Sequence, residues 1–216
     1  MSSVERHALV WLNDAGWSAA IAAARPEHQA ALGQWQREDW PAVARRLDAD
    51  AAPDEVCLGL PLPPDAHGTK VRIALRACAT HIARTSDAIE LKSALPAAGA
   101  WREHLATLCD EAPGLRVFGS LAMQALTGLR YVSPASDIDV LFRPASSQQL
   151  SEVVTRLVRN VEHLPLDGEI VFPGGAAVSW KEWRIATTHP AKVMVKELRT
   201  VRLADAASLL ATLEEQ

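Results

Sequence analysis

Apolar positions in this chain fall into short strand-like runs and longer faces with helical spacing. Residues 7–12 (HALVWL) form an apolar run that predicts a strand. Two Ala-rich stretches with helical spacing follow at 17–24 and 40–47, the second with Pro41 where a first helical turn tolerates it. Runs at 55–60 and 70–75 flank a Pro/Gly-rich turn and predict an antiparallel hairpin. The PAAG break at 96–99 is the best linker candidate. It sets a soft boundary between residues 85 and 100, hence an N-terminal α+β part (1–90) and a C-terminal part (91–216).

The C-terminal part predicts a helix over 101–111, ended by Pro113-Gly114, and a short strand over 115–118. Gly119-Ser120 opens a helix through residue 127, with Gly128 placed to cap it. A strand is expected at 137–142 and a helix at 147–158, with Leu150, Val153, Val154 and Leu157 on its apolar face. Segments 167–172 and 176–180 flank Pro173-Gly174-Gly175 as a second hairpin, and 192–198 reads as one more strand. Helices mixed with hairpins indicate a mixed α+β fold rather than a regular βαβ repeat. No internal repeat suggests a solenoid.

Composition narrows the function classes. With 216 residues, 49% of them hydrophobic and 22% charged, the chain has ample material for a core and is not disordered. Its formal charge of −4 is evenly spread: residues 1–90 hold 9 basic and 12 acidic side chains, residues 91–216 hold 13 and 14. Neither part has the basic excess that bulk nucleic-acid or anionic-membrane binding needs. Cys57, Cys78 and Cys109 form no C-x-x-C and make an odd count, so neither a zinc clip nor a disulfide framework is indicated. The start of the chain carries Glu5 and no long apolar stretch, and no apolar run reaches membrane-spanning length. A soluble, cytoplasmic protein is expected.

The chemistry concentrates in Val117-Phe118-Gly119-Ser120 and Ser136-Asp137-Ile138-Asp139-Val140. Strand residues two apart share a face, so Asp137 and Asp139 project together while Ile138 and Val140 face the core. Paired carboxylates repel unless a cation lies between them, and oxygen ligands suit Mg²⁺. A Gly-Ser turn at a helix start supplies N–H groups, a hydroxyl and the positive end of a helix dipole, all favourable to phosphate. A phosphate cradle beside a carboxylate pair is what metal-assisted phosphoryl or nucleotidyl transfer requires. Alone, a D-x-D or a Gly-Ser turn is weak, since the first is often a solvated pair and the second an ordinary N-cap.

In order, strand, Gly-Ser, helix and D-x-D on the next strand resemble the signature of nucleotidyltransferases related to DNA polymerase β. That resemblance implies a polymerase-β-like C-terminal domain and a third carboxylate from a later strand. Asp167 and Glu169 are the candidates; Glu169 is preferred because it lies inside the strand, whereas Asp167 abuts Gly168. A narrower resemblance spans nearly the whole chain. It is carried by Arg6 to Leu12, Gly59 to Pro63 with Arg72 to Ala74, Gly119-Ser120, Ser136 to Asp139, Asp167 to Glu169, and Ala177 to Trp180 with Glu182-Trp183.

These segments resemble the malonate decarboxylase holo-acyl-carrier-protein synthases, also called phosphoribosyl-dephospho-CoA transferases. The resemblance implies transfer of 2′-(5″-phosphoribosyl)-3′-dephospho-CoA from its triphosphate precursor to a serine of the apo acyl-carrier subunit, releasing pyrophosphate. One or two Mg²⁺ ions would be held by Asp137, Asp139 and Glu169, with Gly119 and Ser120 on the phosphates. Lys196 shares a strand face with Lys192 and Met194, and either meets phosphate or is merely solvated. Arg72, Arg6 and His7 are candidates for contacting the donor or carrier, with structural ion pairs the plain alternative. Trp180 and Trp183 fit a core or lid role better than adenine stacking. His67, in a turn, reads as plain surface. Competing readings are a citrate-lyase-type carrier as acceptor, a small-molecule adenylyltransferase using the same carboxylates, and a non-catalytic binding module.

Overall fold

The computed structural model describes residues 4–189 and 191–214, so the first three residues of the start segment weighed above lie outside it. The chain packs as two compact units, Met1–Asp87 and Ala88–Gln216. In the first unit β1 (Leu9–Leu12) leads into α1 (Asp14–Ala23) and α2 (Pro26–Arg37). Then come β2 (Ala42–Ala44), β3 (Glu55–Pro61), β4 (Arg72–Cys78) and β5 (Ile82–Ser86). They pair in the order β4-β3-β2-β1-β5, antiparallel throughout. The expected hairpin is present: β3 and β4 pair from Glu55↔Cys78 to Pro61↔Arg72, with Ile73, Leu75 and Ala77 buried on alternate positions of β4.

The helix expected at 40–47 is instead the strand β2. Trp40 precedes Pro41, which disfavours a helical backbone there. Ala42 and Ala44 are buried between β1 and β3, where small side chains fit a central strand. Helix α2 has no counterpart among the sequence expectations, although Pro26 sits in its first turn and Leu32 and Trp35 are its buried face.

The second unit begins with β6 (Ile89–Glu90), α3 (Leu91–Ala94) and α4 (Arg102–Glu111), then β7 (Arg116–Phe118), α5 (Gly119–Thr127), β8 (Ile138–Phe142) and α6 (Ser147–Asn160). It ends with β9 (Leu166–Val171), β10 (Ala177–Ser179), α7 (Trp180–Thr188), β11 (Lys192–Lys196), β12 (Val201–Asp205) and α8 (Ala206–Glu214). The seven strands run β12-β11-β10-β9-β8-β7-β6. The β8–β9 pair is parallel, with α6 as its crossover, and the others are antiparallel, giving a mixed sheet. The whole is α+β.

The 96–99 break is not a linker. It lies inside the second unit, where 3₁₀ turns carry the chain from α3 to α4, Ala98 is buried and the Ala97 carbonyl accepts from Gln124 Nε2. All six helices of this unit contribute to one apolar cluster against one sheet face, through residues such as Leu91, Leu105, Leu121, Leu157, Trp183 and Leu209. Trp180 and Trp183 are therefore core residues, Trp183 tilted against Phe172 at a centroid distance of 5.0 Å. Among the described residues no helix is long and apolar enough to cross a membrane.

Candidate active site

The helices pack on one sheet face; the chemistry projects from the other. Register fixes that face strand by strand, since paired residues point the same way. Phe118 of β7 pairs with Asp139 of β8, Asp139 with Asp167 of β9, Glu169 with Ser179 of β10, and Ala177 with Lys196 of β11. Asp139, Asp167, Glu169 and Lys196 thus share one face. Asp137 stands exposed one residue before β8, also on the Asp139 side of the alternation.

Asp139 and Asp167 are direct neighbours on parallel strands, roughly 4.8 Å apart at the backbone. Two glycines make this possible. Gly119 has φ +68°, and a Cβ there would come within 2.1 Å of Asp139 Oδ2. The turn therefore closes directly against the Asp139 carboxylate, and Ser120 follows in the first turn of α5. Gly168, between the two β9 carboxylates, has φ +132°, and a Cβ there would meet the Val140 carbonyl oxygen at 1.9 Å. Only glycine lets β9 lie so close to β8 at this point.

The loop before Asp137 is fixed from below. Gln124 of α5 accepts from the Tyr131 and Val132 N–H groups through Oε1, at 3.0 and 2.9 Å, while its Nε2 donates to Ala97. Ser136 is buried, and its hydroxyl accepts from Ser133 N–H. Sequence reasoning missed Gln124, whose one available signal was a polar residue in the apolar middle of a helix, and it quoted Ser136 with the Asp motif without giving it a role of its own. As expected, Gly128 caps α5 with a left-handed backbone, φ 71°.

The β9 carboxylates have different partners. Glu169 has a side chain only 7% exposed and accepts from Lys196 Nζ at 2.9 Å. Asp167 is more open, with Lys181 Nζ 3.7 Å from its Oδ2. Lys181, in the first turn of α7, carried no signal in the sequence reading. Lys192 and Met194 share the Lys196 face, opposite buried Val193 and Val195, as the alternation predicts. Arg72 belongs to the first unit, exposed at the start of β4 opposite Pro61. Arg6 and His7 precede β1, where His7 N–H donates to the Ala44 carbonyl. His67 is exposed in the turn organised by Asp65.

Among the described residues no three His, Cys, Asp or Glu side chains converge as a ready-made metal cage. Asp139 and Asp167 nevertheless stand side by side across the parallel pair, with Asp137 two residues before Asp139 on the same side, which places carboxylate oxygens along one line of the sheet. Such donors fit a hard divalent cation like Mg²⁺.

The comparisons agree in one direction. Residues 5–88 match the model of the phosphoribosyl-dephospho-CoA transferase MdcG N-terminal domain, and residues 74–207 that of the C-terminal domain. A phosphoribosyl-dephospho-CoA transferase of Xanthomonas campestris pv. campestris strain 8004 is 43% identical over 187 residues, covering 82% of this chain and 84% of the relative. One of Xanthomonas euvesicatoria pv. vesicatoria is 41% identical over 212 residues, covering 94% and 95%. One of Bradyrhizobium diazoefficiens is 38% identical over 215 residues, covering 93% and 89%. No solved structure matches. Matches running through both parts of the chain, at such identity and coverage, make it a transferase belonging to the phosphoribosyl-dephospho-CoA transferase family.

Proposed function

We propose that this transferase moves the 2′-(5″-phosphoribosyl)-3′-dephospho-CoA group from its triphosphate precursor to a serine of the apo acyl-carrier subunit of malonate decarboxylase. The observation that carries the reading is the adjacency of Asp139 and Asp167 on parallel strands, closed on one side by the Gly119–Ser120 turn. Membership of the phosphoribosyl-dephospho-CoA transferase family supports the identity of the group transferred. The architecture of mixed sheet, Gly-Ser turn and D-x-D agrees with a polymerase-β-like nucleotidyltransferase.

Asp137, Asp139 and Asp167 would hold Mg²⁺, which neutralises charge on the α-phosphate when bound. Ser120 and the N–H groups opening α5 hold donor phosphates at the positive end of that helix. The carrier serine oxygen forms the new bond to phosphorus as the bond to pyrophosphate breaks. Its proton passes to a carboxylate of the site. The first unit, bearing exposed Arg72, reads the donor body or the carrier.

Mass spectrometry of the apo carrier tests the reading. Incubation with donor and Mg²⁺ should add one phosphoribosyl-dephospho-CoA unit and release pyrophosphate, and a Ser→Ala carrier should stay unmodified. Asp137→Ala and Asp139→Ala should each abolish transfer, since metal assistance is normally worth several kcal/mol. More than about a tenth of wild-type activity in either variant would sink the assignment. An unmodified carrier together with ATP-dependent labelling of a small alcohol would make the chain an adenylyltransferase. Modification of a citrate-lyase carrier alone would change the acceptor.

A further inference from the structure

Strand β9 presents two carboxylates on one face, and each is paired with a lysine from a different element. Lys181 comes from the first turn of α7 and lies 3.7 Å from Asp167; Lys196 ends β11 and donates to Glu169 at 2.9 Å. The two pairs differ in character. Glu169 is almost wholly buried, and a buried carboxylate is costly without a close partner, so it holds the Lys196 ammonium in one place. Asp167 is half-buried and Lys181 exposed, and a contact that long is loose enough for the lysine to take another anion. Both lysine side chains keep part of their surface open, 38% for Lys196 and 49% for Lys181, beside the carboxylates of the same sheet face.

We propose that Lys181 and Lys196 form a two-cation seat for the pyrophosphate part of the donor, with Glu169 a positioning residue that aims Lys196 rather than a metal ligand. This rests on the transfer reading above, whose departing group it places. Pyrophosphate leaves with several negative charges, and fixed cations aimed at it stabilise that charge as it develops. The carboxylates of Asp137, Asp139 and Asp167 cannot do this themselves, because like charge repels phosphate. The lysine seat supplies positive charge there without a further ion. The Asp167 contact also keeps Lys181 directed at the site when no phosphate is there.

Calorimetric titration of the full-length protein with inorganic pyrophosphate, at fixed Mg²⁺, tests the seat without any carrier. The wild type should bind, and Lys181→Ala should weaken binding tenfold or more. Lys196→Ala removes the hydrogen-bonded cation from a buried carboxylate and endangers the fold, so the paired change Glu169→Gln with Lys196→Gln replaces it. That double variant should unfold near the wild-type temperature and also lose at least tenfold in pyrophosphate affinity. Glu169→Gln alone should leave Mg²⁺ affinity in the absence of pyrophosphate unchanged, whereas Asp139→Ala should abolish it. The proposal falls if the wild type does not bind pyrophosphate, or if either lysine variant binds it within twofold of wild type. It falls as well if Glu169→Gln costs as much Mg²⁺ affinity as Asp139→Ala. A protein that binds pyrophosphate through these lysines yet modifies no apo carrier would overturn the transfer reading and leave the seat standing.

Discussion

Gly119 and Gly168 border the same site but should fail in different ways when substituted. A Cβ on Gly119 meets the end of a side chain, the Asp139 carboxylate, which can rotate away. Gly119→Ala should therefore leave a folded protein whose transfer activity is down by about 100-fold, since a displacement of about 1 Å at a reacting site has that effect. A carrier-modification assay paired with circular dichroism checks both halves. A Cβ on Gly168 meets the Val140 backbone, which cannot move without unpairing β8 from β9. Gly168→Ala should cost about 3 kcal/mol or more, seen as a fall in Tm of roughly 6 °C or greater. A Gly168→Ala protein that melts with the wild type would show that β9 is not held this close. Of the two, Gly119 was legible as a turn glycine. Gly168 read merely as the neighbour of Asp167, because nothing along the chain reveals that Val140 packs against it.

The Arg45–Asp48–Arg76 cluster shows how one carboxylate ties several elements of the first unit together. Asp48, in the loop between β2 and β3, accepts from both terminal nitrogens of Arg45 at 2.6 and 2.8 Å and from Arg76 Nε of β4 at 3.0 Å. The Arg45 guanidinium foremost, with Arg76 assisting, holds the Asp48 carboxyl well below the ordinary carboxylate range. A depressed native pKa means the stabilisation is present above the unfolded-state pKa, near 4, and is lost as pH falls through the lower native value. Asp48→Asn should thus lower Tm at pH 7, and the gap from wild type should narrow as pH drops below about 4. Melting curves from pH 7 to pH 2 measure this, and a gap that stays constant would remove Asp48 from the account. Neighbouring β2 marks where local pattern misled: Ala-rich 40–47 has helical spacing, but pairing with β1 and β3 on both sides outweighs helix propensity in three residues.

At the scale of the whole molecule, the proposed division of work predicts donor discrimination. If the first unit reads the dephospho-CoA body, ATP should be a poor donor, because binding energy remote from the phosphates is used to position them. Arg72→Ala should then lower kcat/KM for the phosphoribosyl-dephospho-CoA donor about tenfold, with part of the loss in kcat and Mg²⁺ dependence unchanged. Steady-state kinetics with both donors decides it; an unchanged kcat/KM would place donor recognition elsewhere. By itself, the sequence determined the mixed α+β character, the strands and helices of the second unit around Gly119-Ser120 and Asp137-Ile138-Asp139, and the family likeness. These are carried by local periodicity, turn residues and short motifs, which are written in consecutive positions. Tertiary structure alone decided that β9 runs parallel to β8 with Asp167, not Glu169, level with Asp139. It also decided that Glu169 closes on Lys196 and that Lys181 reaches Asp167. Asp167 and Glu169 share the same alternation, so periodicity cannot rank them; register between strands 28 residues apart can, and it is set by where two backbones meet.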